Sequence, residues 1–464
     1  MIFRQYFLAS LSQLSYLIGD SASGRAVVVD PHRDIAVYRH DAEEDGLCIE
    51  RVIETHCHAD FLSGHLELAA ATGATICYGE GVTTDYPIES LHDGQRLHLG
   101  QVVLEIRATP GHTQESISIA VYEHRDHAIP YGVLTGDTLL IGDVGRPDLS
   151  SGVGCTSADM AHQLYQSLHH KLLTLPDETR VFPAHGPGSP CARNVSAETS
   201  STIGQQRRTN QALALRDEAQ FVTAVTTGQP PAPPYFSFAA QRNRERRPLL
   251  DEAAAPASLS ITELAAQRST GAVVLDARDP SEFAAGHLRG SVNVGLDGRF
   301  AEYAGSVLRP DQRLVLVCPE GKELEATIQL GRIGYDNVVG YLDNPLGAFV
   351  DHPEAIETSS RCTAEALATH RADNPGLVVL DVRNPGELSN GVIPGAVHIP
   401  LSQLVQRAHE LDHTRPTTVY CAAGYRSMIA ASWLTAAGFG DVSDLVGGYG
   451  AWAALPASEP VAAR

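Results

Sequence analysis

Two groups of residues in this chain have the types and spacing to do chemistry. In RVIETHCHADFLSGH, His56 and His58 stand two apart and Asp60 two further on, directly after an apolar run. Near the end of a strand that spacing lets imidazoles and a carboxylate converge on one cavity. Downstream, His112 in TPGHT, Asp137 in LTGDTLL and His185 in FPAHGPG each follow an apolar run beside glycine or proline. Separate strand-end loops thus carry metal-capable side chains, and together they point to a metal site rather than to scattered structural histidines. The second group lies in TTVYCAAGYRSMIAASWL, where a strand ends at Cys421 and an apolar-periodic helix is expected to begin near Ser427. Loop N–H groups, the helix N-terminus and Arg426 can all favour an anionic sulfur. A thiolate there is a nucleophile able to take up a sulfane sulfur as a persulfide. Of the other thiols, Cys57 should be turned away from the flanking histidines by strand alternation. Cys191, six residues after His185, is expected at the pocket rim, either carrying sulfur or filling space.

The elements that position these groups are spread over 464 residues, enough for two to four domains. Hydrophobic residues at 43% and charged residues at 19% are a globular composition, and they exclude disorder and collagen-like repeats. A net charge of −21 argues against nucleic acid as a partner. The one basic cluster, Arg242, Arg244, Arg246 and Arg247, reads as a solvated linker. Eight cysteines without a C-x-x-C pair read as free thiols in a reducing compartment. With no uncharged apolar run of 18 residues, a cytoplasmic chain without membrane attachment is expected.

Residues 1–200 alternate buried-strand runs such as RAVVVDP and YGVLTGD with helical patterns such as SADMAHQLYQSLHHKLLTL, a mixed α/β region. From Thr226 to Ser258, six prolines and the arginine cluster predict an extended crossing. Beyond it lies an internal repeat. VVLDARDPSEF at Val273 and VVLDVRNPGEL at Val378 are 105 residues apart, and the strands ending at Cys318 and Cys421 are 103 apart. A period near 100 indicates two tandem domains with mainly parallel sheets. The expected division is 1–225, a linker 226–257, then 258–355 and 356–464.

The first constellation resembles the metallo-β-lactamase superfamily, whose pattern is H-x-H-x-D-H followed by a distant His, Asp and His. Phe61 stands where that pattern has its last histidine, a ligand of the second metal in two-metal hydrolases. THCHAD, PGHT and TGDTLL followed by GDVGRPD are similar to the persulfide dioxygenase branch. That resemblance implies an αββα sandwich and one Fe(II) per chain on His56, His112 and Asp137. Two imidazoles and one carboxylate leave positions open for a thiolate-like substrate and O2. It places His58, Asp60 and His185 in the surrounding shell and leaves Arg146, nine residues after Asp137, to hold a substrate carboxylate or steady the loop. The two C-terminal copies resemble rhodanese, a sulfurtransferase, through the D-x-R strand and the C-x-x-G-x-R-S loop around Cys421 and Arg426. In the first copy the loop reads Cys318-Pro319-Glu320-Gly321-Lys322-Glu323. Its carboxylates oppose a thiolate, so that copy is expected to be degenerate. The combined resemblance implies oxidation of a small thiol persulfide to sulfite, coupled to rhodanese transfer to or from thiosulfate in sulfide and persulfide detoxification. It also implies a homo-oligomer. The alternatives are a zinc thioesterase of the glyoxalase II kind and a sulfur-transfer protein that does not oxidise its cargo.

Overall fold

The computed structural model describes residues 1–149, 154–193 and 195–456; the end of the last expected domain, 457–464, lies outside the described residues. By its contacts the chain divides into residues 1–252 with 331–334, and residues 253–330 with 335–464. Among the described residues no helix is long and apolar enough to cross a membrane.

The first unit is built on two six-stranded sheets. One runs in chain order from Ile2–Leu8 through Gln13–Asp20, Arg25–Val29, Cys48–Ile53 and Thr75–Gly79 to Glu89–Leu91. Arg25–Val29 shows why the apolar runs are continuous. Val27 and Val29 face a core shared with Leu104, Ile106 and Ile119 of the second sheet, while Ala26 and Val28 pack with Tyr38 and Leu68 of the outer helices Ala36–Glu44 and His65–Thr72. A strand covered on both faces needs apolar side chains at every position, and burying each is worth about 1.5–3 kcal/mol. In the second sheet Val102–Ala108 and Gly132–Gly136 both pair antiparallel with Ile117–Tyr122, and Gly132–Gly136 runs parallel to Arg180–Pro183. These three strands therefore point the same way, and His112, Asp137 and His185 follow their C-terminal ends. A register shift between Leu134 and Gly136 bends the strand just before Asp137.

The expected helix at SADMAHQLYQSLHHKLLTL forms as Ser157–Ser167 and continues as a wider turn over Leu168–Leu172, started by a capping box between Thr156 and Asp159. The extended crossing does not form. Residues 226–252 carry the helix Phe236–Arg242 and bury Tyr235, Phe236, Ala239, Asn243 and Arg247. At the start of this helix the Pro233 carbonyl accepts from Phe236 N–H, and the segment's aromatic and amide side chains find buried partners within the first unit.

In the second unit the repeat is visible strand by strand. The first copy orders its sheet Ser258–Leu259, Val338–Leu342, Leu314–Val317, Val273–Asp276, Val292–Asn293. The second orders it Ser360–Cys362, Val442–Leu445, Thr417–Tyr420, Val378–Asp381, Val397–His398, and every pairing in both is parallel. The D-x-R strands build the same clamp twice. Arg278 donates to both Asp276 oxygens and to the Gly286 carbonyl, and Arg383 does the same to Asp381 and the Gly391 carbonyl. These arginines are structural pins in both copies.

Candidate functional site

Strand-end loops bring His56, His112 and Asp137 together, with one ligand-capable atom from each within 4.8 Å of the others and all three side chains buried. The loop after Asp137 folds back over it. Gly145 N–H donates to the Asp137 carbonyl, and any Cβ at Gly145 would collide with that carbonyl, so glycine is required by the close approach. His112 Nδ1 donates to the Arg146 carbonyl at 2.8 Å, which leaves Nε2 free to face Asp137 Oδ2 at 3.5 Å. Burial and the neighbouring His58 push the His56 imidazole well below its usual range, so it presents a lone pair. Burial would raise the Asp137 carboxyl, but His185, His112 and His56 override that and hold it far below the usual carboxylate range. Asp137 Oδ2 is buried with no hydrogen-bond partner, which is costly unless a cation takes the lone pair. Two imidazoles, one nitrogen of His112 left open by the Arg146 carbonyl, and an orphaned carboxylate oxygen therefore fit a bound metal ion.

Around this trio the other expected residues fall into two groups. His185 donates from Nδ1 to Asp137 Oδ1 at 2.7 Å and from Nε2 to Asp60 Oδ2 at 2.8 Å. Burial lowers its pKa, but the two carboxylates raise it well above the histidine range, so the ring is an imidazolium that fixes both acids. His58 turns away from the trio, with Nε2 3.1 Å from Asp30 Oδ1 and 3.4 Å from Glu54 Oε2. Phe61 is fully buried with its ring 4.4 Å from that of His58. The position of the missing histidine is thus packed, not empty.

One expectation needs correction. Cys191 is not at a rim: it is 1% exposed and lies with Asp60 and His185. Burial, then Asp60 and Asp137, push its thiol well up, which opposes a thiolate sulfur carrier. Of the two roles left open for Arg146, its contacts match the steadying of the loop. Its Nε and Nη2 donate to the two Asp148 oxygens at 2.7 Å each and its Nη1 to the Pro190 carbonyl, so it steadies the loop behind His112.

The basic segment read as a solvated linker proves to be a strap over the histidine loop. Asn243 Nδ2 donates to the carbonyls of His58 and Phe61 at 2.9 and 2.8 Å, and Asn243 Oδ1 accepts from Ser63 N–H. Tyr235 Oη donates to the Asp60 carbonyl at 2.9 Å, and Arg247 pairs with buried Glu67. Sequence reading missed these positioning residues; an aromatic pair and an asparagine inside a proline-rich stretch were the available signal. Replacing Asn243 by alanine strands three buried backbone groups, each worth about 1–3 kcal/mol. Asn243→Ala is expected to lower the unfolding midpoint by several degrees and to weaken metal retention about 10–100-fold, read by thermal denaturation and by metal content after chelator dialysis. Wild-type values in both would show that the loop holds itself.

In the second unit Cys421 is buried at the end of Thr417–Tyr420, and the helix Tyr425–Ala436 starts two residues earlier than expected. Gly424, in the left-handed region at φ 107°, turns its N–H onto Cys421 Sγ at 3.1 Å. Arg426 is held by a two-point pair to Glu387, 2.7 Å at each contact, so its charge is shared rather than free for the sulfur alone. In the first copy the equivalent amide, Gly321 N–H, donates instead to Glu323 Oε1 at 3.2 Å. Burial, then Glu323, Asp276 and Glu325, raise the Cys318 thiol, so Glu325 takes the part expected of Glu320.

Residues 10–185 match the metallo-beta-lactamase superfamily, and residues 260–351 and 363–455 each match the rhodanese-like domain. The mitochondrial persulfide dioxygenase ETHE1 of Bos taurus is 32% identical over 249 residues, 52% of this chain and 87% of that protein. A hydroxyacylglutathione hydrolase of Methylococcus capsulatus is 33% identical over 205 residues, 44% of this chain and 73% of that protein. A crystal structure of a metallo-beta-lactamase from Staphylococcus aureus aligns with a TM-score of 0.66 at 31% identity, covering 74% of this chain and 98% of the other.

Proposed function

The chain belongs to the metallo-beta-lactamase superfamily, with persulfide dioxygenases among its relatives, and carries two rhodanese-like domains; from that membership we propose that it oxidises a small thiol persulfide to sulfite and transfers sulfane sulfur at Cys421. The observation that carries the reading is the donor set: two imidazoles and one carboxylate converge at His56, His112 and Asp137. In the neighbouring group of Asp60, His185 and Cys191, His185 spends both ring nitrogens on Asp137 and Asp60, while His58 faces Asp30 and Glu54 and Phe61 stands where a further histidine would be. His56, His112 and Asp137 would hold the iron, which when bound would supply the redox chemistry that brings the persulfide and O2 together. The chain's own groups do the rest. The Arg146 carbonyl sets the His112 tautomer, and His185 orients the Asp137 carboxylate. The net reaction is R–S–SH + O2 + H2O to R–SH, sulfite and two protons, with the outer sulfur oxidised and O2 reduced.

At the second site the Cys421 thiolate attacks the outer sulfur of R–S–SH, releasing R–SH and leaving Cys421–S–S⁻. Sulfite attacks the outer sulfur of that persulfide, departs as thiosulfate and restores the thiolate. The Gly424 N–H faces Cys421 Sγ, the atom that carries the charge in the attacking and the restored thiolate. A reducing, cytoplasmic setting accompanies this reading, since all eight cysteines are free. Anaerobically purified protein should hold close to one iron per chain and consume oxygen with glutathione persulfide. Two zinc ions with thioester hydrolysis would favour the thioesterase reading, and sulfur transfer without oxygen uptake the carrier reading.

A further inference from the structure

Once Arg146 is spent on Asp148, nothing yet described recognises the carrier end of the substrate. A cavity of about 580 Å³ opens beside the trio, with His112 in its wall and the turn after Phe236–Arg242 contributing another. That volume suits a small-molecule site. Thr113, Gln114, Ser237 and Gln241 line it with uncharged polar groups. Its two carboxylates are occupied. Cys57 N–H donates to Glu115 Oε1 at 3.0 Å, and Glu245 accepts from Gln241 Nε2 at 2.6 Å and Arg242 Nη1 at 2.8 Å. Arg244 is different. Its Nε donates to Cys57 Sγ at 3.3 Å and Glu115 attracts it without a hydrogen bond, while no acceptor among the described residues takes either terminal nitrogen. A half-buried guanidinium with both terminal nitrogens open over this cavity is a fork for an oxyanion.

We propose that Arg244 is the residue of this chain that binds the anionic end of the thiol carrier, a carboxylate or a phosphate. This rests on the persulfide-oxidising reading. A carrier anchored at Arg244 extends along the cavity and presents its outer sulfur on the His112 side. Arg244 then acts on binding rather than on the chemical step, and its loss should appear in KM.

The test measures oxygen uptake by the iron-loaded full chain with glutathione persulfide, coenzyme A persulfide and neutral 2-hydroxyethyl persulfide. Arg244→Gln is expected to raise KM about tenfold or more for an anionic persulfide, with kcat within about twofold and the neutral KM unchanged. Arg244→Lys should fall between. Loss with glutathione persulfide alone identifies a carboxylate, and loss with coenzyme A persulfide alone a phosphate. Equal KM changes for all three persulfides, or none, overturn the proposal. Calorimetry with the unreacted thiols glutathione and coenzyme A reads the anion site without turnover: equal affinity in wild type and Arg244→Gln overturns the assignment of Arg244. Wild-type protein that takes up no oxygen with any persulfide overturns the dioxygenase reading instead.

Discussion

Asp137→Ala should strip metal and oxygen consumption together, lowering metal affinity by well over the roughly 10–100-fold expected for a residue that only orients a ligand. Asp137 contributes twice: Oδ2 is the buried orphan facing His112, and Oδ1 holds His185. Alanine also leaves the His185 imidazolium with Asp60 as its remaining carboxylate partner. Because that change alone can weaken folding, Asp137→Asn is the companion variant; it keeps the volume and removes the charge. Metal content after anaerobic reconstitution, oxygen uptake and thermal unfolding would be measured side by side. A folded Asp137→Asn protein with full iron and turnover would show that the ligand assignment is wrong. Asp60→Asn, one step out from the trio, should retain most of the metal.

Cys421→Ser should abolish sulfur transfer from thiosulfate, whereas Cys318→Ser should leave most of it. The two loops differ at one decisive contact. Gly424 N–H reaches Cys421 Sγ, but Gly321 N–H is captured by the Glu323 carboxylate, and Glu323 and Glu325 further oppose charge on Cys318. With a persulfide as sole sulfur source, the intact enzyme should accumulate thiosulfate, and Cys421→Ser should shift the product to sulfite without halting oxygen uptake. Equal loss of transfer in both serine variants would refute the asymmetry, and an unchanged product in Cys421→Ser would uncouple the two chemistries. Glu323→Arg tests the cause, since freeing the Gly321 amide should make Cys318 more readily alkylated.

The sulfur loops also show where reading a sequence stops. The charge reversal between Glu323 and Arg426 was visible because the copies align at constant spacing. What each charge touches was not. Arg426 was expected to serve the thiol, yet Glu387, 39 residues earlier, holds it at two points. Arg146 was open to either a substrate carboxylate or its own loop, and only the structure closes its fork on Asp148 and the Pro190 carbonyl. A guanidinium's function depends on which acceptors lie within about 3 Å, and residue type does not encode that.

By itself the sequence determined the fold class, the tandem repeat and the strand-end positions of His56, His112, Asp137 and Cys421. The repeat is legible because its segments recur at a constant spacing, and the rest follows from short-range periodicity: a strand buried on both faces must be apolar throughout, and the loop after it is where polar chemistry can emerge. The tertiary structure alone decided what surrounds those residues. Asn243 and Tyr235 grip the carbonyls of His58, Phe61 and Asp60 across separations of 175 to 185 residues. Cys191 is drawn from an expected rim into burial beside His185. Such contacts join a side chain to a backbone oxygen or a distant carboxylate, leave no period in the chain, and exist only once the core has brought remote segments within hydrogen-bonding distance.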